Sequence, residues 1–183
     1  MSQQPVDDMR ALIGDAQRIV IFTGAGISTE SGIPDFRSPG GIWTRYKPIM
    51  FDDFMRSAES RRESWRRKIE TDKTMTVAQP NRGHLAVAAL VNRGLCTAVI
   101  TQNIDGLHQV SGVPADQVIE LHGNSTYAKC LDCDTRMEIP PILEAFARDE
   151  TMPECPSCSS EYVKTATISF GKSMPEAEMR RAE

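Results

Sequence analysis

The chain has 183 residues and a net charge of −4, with 40% hydrophobic and 25% charged residues, which suits one globular domain with a small appended module. The acidic balance excludes a broad basic field, so binding to nucleic acid is not expected. No apolar run approaches the roughly 20 residues that a membrane span needs, and the polar N-terminus does not resemble a secretory signal, so we expect a cytoplasmic protein with no membrane partner.

Predicted helices and strands alternate along much of the chain. Apolar residues at helical spacing predict an amphipathic helix over about residues 5–17 and a second clear helix over about 82–92. Short β-branched runs predict buried parallel strands, which lie at residues 19–22, 97–101 and 118–121. This alternation is typical of a doubly wound parallel sheet.

Two stretches interrupt the alternation. A polar helical stretch covers about residues 51–70, and its basic residues are interleaved with glutamates, so we predict a solvated helix face rather than a binding patch. Those basic residues are Arg61, Arg62, Arg66, Arg67 and Lys68. Paired cysteines and prolines replace the strand–helix pattern over about residues 127–162, and residues 165–170 are predicted to return to the sheet.

The cysteines predict a metal site. Cys130 and Cys133 form one C-x-x-C pair, and Cys155 and Cys158 form another after 21 intervening residues. Two such pairs favour a tetrahedral zinc site, and four thiolates leave no open position, so the zinc is expected to be structural. The alternative is a set of buried thiols without metal. Cys96 is expected to pack as a small hydrophobe.

A glycine-rich turn directly follows the first predicted strand. Gly24, Ala25 and Gly26 would let a pyrophosphate approach the backbone closely at the start of a helix. The third glycine of the usual dinucleotide fingerprint is replaced by Thr29, so a simple tight turn is the alternative. The long loop that follows carries Arg37, whose guanidinium suits phosphate oxygens.

Polar side chains also follow the second and third strands. Histidine exchanges protons near neutral pH, which makes His122 a candidate base. Asn103 and Asp105 can bind an amide such as nicotinamide, or they can simply make turn hydrogen bonds while His122 caps a strand. His84 and His108 are predicted to be structural.

Three sequence motifs resemble those of the sirtuin family. The first comprises residues 24–28 with 32–37, the second residues 101–108 and the third residues 120–123, and each lies just past a predicted strand. The resemblance extends to the four cysteines. It implies an α/β fold with a Rossmann-like parallel sheet, a helical insertion and an inserted zinc ribbon. Because ligands bind at the carboxyl ends of parallel strands, all three motifs are expected to meet in one crevice.

The resemblance also implies an activity, NAD-dependent deacylation of lysine in proteins or peptides. The acyl oxygen would attack the ribose carbon as nicotinamide leaves, with His122 as the base and Asn103 holding the ribose or a water. The products would be free lysine, nicotinamide and O-acyl-ADP-ribose. The residues that the match assigns to the NAD site are Gly24, Ala25, Gly26, Ser28, Asp35, Phe36, Arg37, Gln102, Asn103, Ile104, Asp105 and His122.

The expected organisation has three units. A Rossmann-like domain would comprise residues 1–50, 80–125 and 164–183, with a helical insertion at 51–79 and a zinc-ribbon module at 126–163. Family members continue beyond this length, so the parallel sheet is expected to be incomplete at its C-terminal side and the chain alone to bind NAD poorly. Oligomeric state is not predicted.

The segment that resembles the family's substrate strand contains Phe170 and Gly171, followed by Lys172 where family members usually carry an acidic residue. This reversal is expected to alter peptide preference. Residues 64–67 carry arginines but no tyrosine, which favours acetyl-lysine over acidic acyl groups. Two other functions stay open: mono-ADP-ribosyl transfer in the same pocket, and a non-catalytic zinc-ribbon interaction module.

Overall fold

The computed structural model describes residues 3–35 and 47–183. Phe36 and Arg37, which were assigned to the NAD site from the sequence, lie outside the described residues. Within the described ranges, no helix combines the length and the apolar character that crossing a membrane requires.

The first layer of the fold is a three-stranded parallel sheet of order β1-β2-β3. Its strands are β1 Ile19–Thr23, β2 Cys96–Thr101 and β3 Val118–Glu120. The three strands were predicted, and their register aligns Thr23 with Thr101, so two hydroxyls lie side by side where β1 and β2 end. Val99 and Val118 belong to the buried core of this layer.

Helices flank this sheet. Helix α1, Gln4–Asp15, forms as predicted, but its apolar face is uncovered by the described residues: Leu12 is 73% exposed. The helix at Arg82–Asn92, α4, packs its apolar side onto β2, as its periodicity predicts. Asn81 caps it by accepting hydrogen bonds from the backbone of its first turn.

The predicted helical insertion is two helices, α2 Phe51–Arg56 and α3 Ala58–Met75. Ser57 separates them, and its hydroxyl caps α3 by accepting from the Ser60 N–H at 3.2 Å. The solvated face predicted for the basic cluster is wrong for Arg61 and Lys68, which are buried. Arg61 donates to the Phe54 carbonyl, and Lys68 pairs with Asp72 on the next turn.

A second, antiparallel sheet of order β5-β4-β6 forms the module that carries the cysteines. Its strands are β4 Gly123–Cys130, β5 Arg136–Glu138 and β6 Val163–Thr167, and helix α6, Ile139–Asp149, covers it. Trp65 of α3 lies in the core of this module beside Phe146 and Val163. The helical insertion and the cysteine module therefore share one hydrophobic core.

The segment predicted to return to the parallel sheet forms β6 instead, which pairs with β4. The chain makes this possible at Gly123, whose φ of +72° turns it out of β3 directly into β4. Two short helices complete the described fold: α5 Leu107–Val110 and α7 Glu176–Ala182. The residue bounds proposed above for the three units stay a prediction.

Candidate active site and zinc centre

One cavity of about 790 Å³ opens where the parallel strands end. Its wall combines the glycine loop, the loop after β2, the turn after β3 and the segment after β6. The predicted site residues in this wall are Ala25, Asp35, Gln102, Asn103, Ile104, His122, Phe170 and Gly171. The structure therefore brings together segments that are far apart in the chain, at the edge of the sheet where open α/β folds bind ligands.

The glycine loop continues as a 3₁₀ helix, Ala25–Ser31, rather than as the α-helix of the usual fingerprint. Gly24 has extended backbone, and a Cβ placed on it would lie 3.8 Å from the Gln102 side chain. Among the described residues, no atom outside its own helical turn would lie within 4 Å of a Cβ on Gly26. Neither crowding nor a positive φ therefore requires glycine at position 26, and the open space above the backbone suits the close approach of a ligand.

Ser28 and Asp105 lie just behind the cavity wall and hold Asn103. The Ser28 hydroxyl donates to Asp105 Oδ2 at 2.6 Å, and Asn103 Nδ2 donates to Ser28 Oγ at 3.1 Å. The other Asp105 oxygen accepts from the Leu107 N–H at 2.9 Å. The carboxylate therefore accepts two hydrogen bonds, and the Asn103 amide is fixed at the cavity wall with only 6% of the residue exposed.

His122 lies in the turn between β3 and β4, and its ring lines the cavity. Its Nδ1 lies 3.0 Å from the Gln102 carbonyl oxygen, which can only accept. The neutral ring therefore carries its proton on Nδ1, and Nε2 keeps a lone pair. A half-buried imidazole with an available Nε2 can accept a proton from a hydroxyl in the cavity.

Lys164 of β6 also lines this cavity and was not singled out from the sequence. Its ammonium group donates to the Thr165 carbonyl at 2.8 Å and to the Thr167 carbonyl. Burial, together with a smaller effect of the nearby charge of Lys172, lowers the pKa of Lys164 to about 8. A lysine in an alternating strand gives no local signal of burial, so the pattern alone could not identify it.

The four cysteines form a compact cluster. All four sulfur atoms lie within 4.8 Å of one another, with Cys130 Sγ 3.6 Å from Cys158 Sγ and Cys133 Sγ 3.5 Å from Cys155 Sγ. A tetrahedral zinc–thiolate centre has sulfur atoms about 3.8 Å apart. The donor set and spacing therefore fit a structural Zn²⁺ with four protein ligands, as predicted.

Comparisons with known proteins agree with this geometry. The profile of the Sir2 family matches residues 24–183. An NAD-dependent protein deacetylase of Rhodopseudomonas palustris is 54% identical over 177 residues, covering 97% of this chain and 70% of the relative. NAD-dependent protein deacetylase 1 of Bradyrhizobium diazoefficiens is 55% identical over 177 residues, covering 97% of this chain and 69% of the relative. A solved structure of Sir2 with a p53 peptide and NAD+ has a TM-score of 0.80 at 34% identity, covering all of this chain and 70% of that one.

The parallel sheet, the cavity at its strand ends and the four-cysteine module together define an α/β protein with a nucleotide-type site and a structural zinc centre. The chain belongs to the Sir2 family, the sirtuins.

Proposed function

We infer that this sirtuin removes acyl groups from lysine side chains of proteins or peptides in an NAD-dependent reaction. The observation that carries the inference is the convergence of the glycine loop, the 102–105 loop and His122 on one cavity. The relatives named NAD-dependent protein deacetylase, and the solved Sir2 structure with a p53 peptide and NAD+, support the same reaction and substrate class.

The residues present fit NAD in kind and in place. Gly24, Ala25 and Gly26 offer accessible backbone for the phosphates, and Asn103, held by the Ser28–Asp105 pair, offers an amide at the nicotinamide end. When bound, NAD supplies the ribose carbon that takes the acyl oxygen as nicotinamide leaves. Asp35, Gln102 and Ile104 complete the part of the wall that we assign to the cofactor.

We assign the proton transfer to His122. Its Nδ1–H donates to the Gln102 carbonyl, which leaves Nε2 as the acceptor for a hydroxyl proton. Asn103 positions the reacting groups because both its backbone and its side chain are hydrogen-bonded: its N–H donates to Thr101 Oγ1 at 3.0 Å and its Nδ2 to Ser28. Such rigid placement supports reactions that depend on orientation.

We place the substrate backbone beside Phe170 and Gly171. Both line the same cavity as His122, and Gly171 has a φ of +85°, which bends the chain at this point. The Phe170 carbonyl already accepts from the Phe51 N–H at 2.9 Å, which ties the segment to the helical insertion. The cytoplasmic location expected from the sequence stays a prediction.

The test is incubation of the chain with an acetyl-lysine peptide and a large excess of NAD, which offsets the weak NAD binding expected of this chain alone, followed by mass spectrometry. We expect free-lysine peptide together with O-acetyl-ADP-ribose, and we expect His122→Ala to reduce the rate by at least about 100-fold because a positioned base contributes 10²–10⁴-fold. Val110→Ala is the control, since Val110 is exposed and does not line the cavity.

Zinc content and thermal unfolding show whether each variant is folded. A mass gain on protein in place of deacylated peptide would indicate ADP-ribosyl transfer instead. A folded His122→Ala protein with the activity of the Val110→Ala control would contradict the role assigned to the imidazole.

A further inference from the structure

Two buried histidines lie beneath the glycine loop, outside the cavity wall. His84 is in the first turn of α4 and His108 is in α5; they are 0% and 1% exposed, and their ring centroids are 5.1 Å apart. His84 Nε2 and His108 Nδ1 have no hydrogen-bond partner among residues 3–35 and 47–183. A buried polar atom without a partner costs about 1–3 kcal/mol, so the presence of two in adjacent rings needs an explanation.

The tautomer of His84 follows from its neighbour. Its Nδ1 lies 3.3 Å from the backbone nitrogen of Asn81, which carries a proton and can only donate. Nδ1 therefore accepts, and the proton of the neutral ring is on Nε2. The unpaired atom of His84 is a hydrogen-bond donor.

The tautomer of His108 follows from the two threonines at the strand ends. The Thr23 hydroxyl donates its single proton to Thr101 Oγ1 at 2.8 Å. Thr23 Oγ1 also lies 2.9 Å from His108 Nε2, and because its proton is already used it can only accept from that nitrogen. His108 therefore carries its proton on Nε2 and leaves Nδ1 with a lone pair. The unpaired atom of His108 is an acceptor, complementary to the unpaired donor of His84.

Both ends of this arrangement reach loops of the NAD site. On one side, Asn81 Nδ2 donates to the Ile27 carbonyl at 2.6 Å and to Ser31 Oγ at 2.9 Å, which anchors the 3₁₀ helix of the glycine loop. On the other side, Thr101 Oγ1 accepts from the Asn103 N–H at 3.0 Å. The only junction not closed by a hydrogen bond in the described residues is the one between the two imidazoles.

We propose that His84 and His108 are positioning residues, joined through one buried water that accepts from His84 Nε2–H and donates to His108 Nδ1. The junction completes a hydrogen-bond chain from the glycine loop to Asn103. This rests on the proposed function, in which Asn103 orients the reacting groups. The chain fixes two loops that approach the same cofactor from different strands, and a displacement of about 1 Å at such a site can cost 100-fold in rate.

The proposed hydrogen-bond chain requires both histidine rings to be neutral, and the surroundings of the rings favour this state. Burial, together with a smaller effect of the neighbouring His84, lowers the pKa of His108 to about 4. Burial likewise lowers the pKa of His84. The carboxylate of Asp105 acts on both rings in the opposite direction, but it already accepts from Ser28 and Leu107 and does not offset burial.

The first test is a ¹⁵N NMR spectrum of the imidazole rings, which distinguishes the two neutral tautomers and the charged form. The chain has three histidines, so single substitutions assign every signal. We expect His84 and His108 to be neutral with the proton on Nε2 at pH 7. An Nδ1–H tautomer or a charged ring at either position would overturn the proposal, and this readout is independent of catalytic activity.

The second test breaks the proposed hydrogen-bond chain at residues that do not line the cavity. Thr23→Val removes the hydroxyl, and we expect it to lower kcat at least about ten-fold with a smaller change in KM. Thr23→Ser keeps the hydroxyl, and we expect its kcat to be close to that of the unaltered protein. His84→Asn keeps an acceptor for the Asn81 N–H but loses the Nε2 donor, and it should lower kcat similarly. Equal kcat for the two Thr23 variants, measured on folded zinc-containing protein, would overturn the proposal even if His84→Asn fails to fold.

Discussion

The cysteine module and the NAD site keep their residues in place by different means. Around Cys130 and Cys155, apolar side chains of α3, α6 and β6 form a closed core, and four thiolates suit one metal ion. Around Asn103, hydrogen bonds between loops keep the residues in place, and buried hydroxyl, amide and imidazole groups make these bonds where the other region uses a metal. A metal centre resists small changes but fails completely when the ion is lost, whereas a hydrogen-bond chain can lose one link and keep the fold. The comparison predicts that damage to the first is seen as unfolding and damage to the second mainly as lost rate.

The largest effect is expected from loss of the zinc. Structural zinc binds zinc-finger peptides with apparent free energies of about 10–16 kcal/mol, so Cys130→Ser should unfold the antiparallel sheet and expose Trp65, which is now 1% exposed. Tryptophan fluorescence and metal analysis measure both changes. Cys96→Ser is the matched control, because Cys96 is buried in the other core and its sulfur contacts the Ala98 carbonyl rather than the cluster. Retention of one zinc per chain in Cys130→Ser would contradict the assignment of the centre.

A smaller but still severe effect is expected where the two regions join. At Gly123, φ is +72° and an added Cβ would lie 2.1 Å from the Ala166 carbonyl oxygen in β6. Gly94 has almost the same φ, +73°, and within residues 3–35 and 47–183 no atom beyond its chain neighbours lies within 4 Å of such a Cβ. We expect Gly94→Ala to cost about 1–2 kcal/mol, the penalty of the left-handed conformation, and Gly123→Ala to cost several kcal/mol more or to prevent folding. Urea unfolding compares them, and equal costs would show that the strand contact at Gly123 is not tight.

Acid should destabilise the NAD side through His108. The pKa of His108 is about 4 in the folded chain and about 6.5 when unfolded, so between these values the unfolded state binds the extra proton. The stabilisation is complete above pH 6.5 and is lost as the pH falls towards 4, by about 3 kcal/mol in total. His108→Gln keeps a donor for Thr23 but cannot titrate. The free energy of unfolding should therefore fall more steeply between pH 7 and 4.5 in the unaltered chain than in His108→Gln, and loss of zinc in acid affects both proteins alike. Parallel pH dependences would contradict the burial of a neutral ring.

Much of this architecture could be predicted from the sequence because its signals are local. The strands at residues 19–22, 97–101 and 118–121 are short β-branched runs, and the cysteine spacing directly indicates a tetrahedral site. The partner of a strand is not a local property. Residues 163–167 have the composition of a strand in either sheet, and their pairing with β4 depends on the turn at Gly123.

The same reasoning explains what the sequence could not provide within the site. Periodicity identifies a helix face but not what packs on it, so the burial of Arg61 and Lys68 was not predicted. His84 and His108 were predicted to be structural. The positioning role proposed for them was not foreseen, because it depends on the tautomers of the two rings, which neighbouring donors and acceptors determine. Thr23, which determines the tautomer of His108, lies 85 residues from it along the chain, whereas Asn81 lies only three residues from His84.

The smallest expected effect concerns the charge that lines the cavity. Lys172 lines it with its ammonium 4.3 Å from the Phe51 ring centre, and Lys164 lies in the same wall, whereas the charge of Lys68 is paired with Asp72. Peptides with an acidic side chain beside the acyl-lysine should therefore have a lower KM than peptides with a basic one. Lys172→Glu should reverse this preference by about three-fold, the size of a partly exposed ion pair, and added salt should weaken it.

Lys73→Glu changes the net charge equally, but Lys73 is exposed on α3, pairs with Glu70 and is not part of the wall. If both substitutions change the peptide preference by the same amount, net charge rather than the position of Lys172 decides it, and the substrate path assigned beside Phe170 and Gly171 loses its electrostatic support.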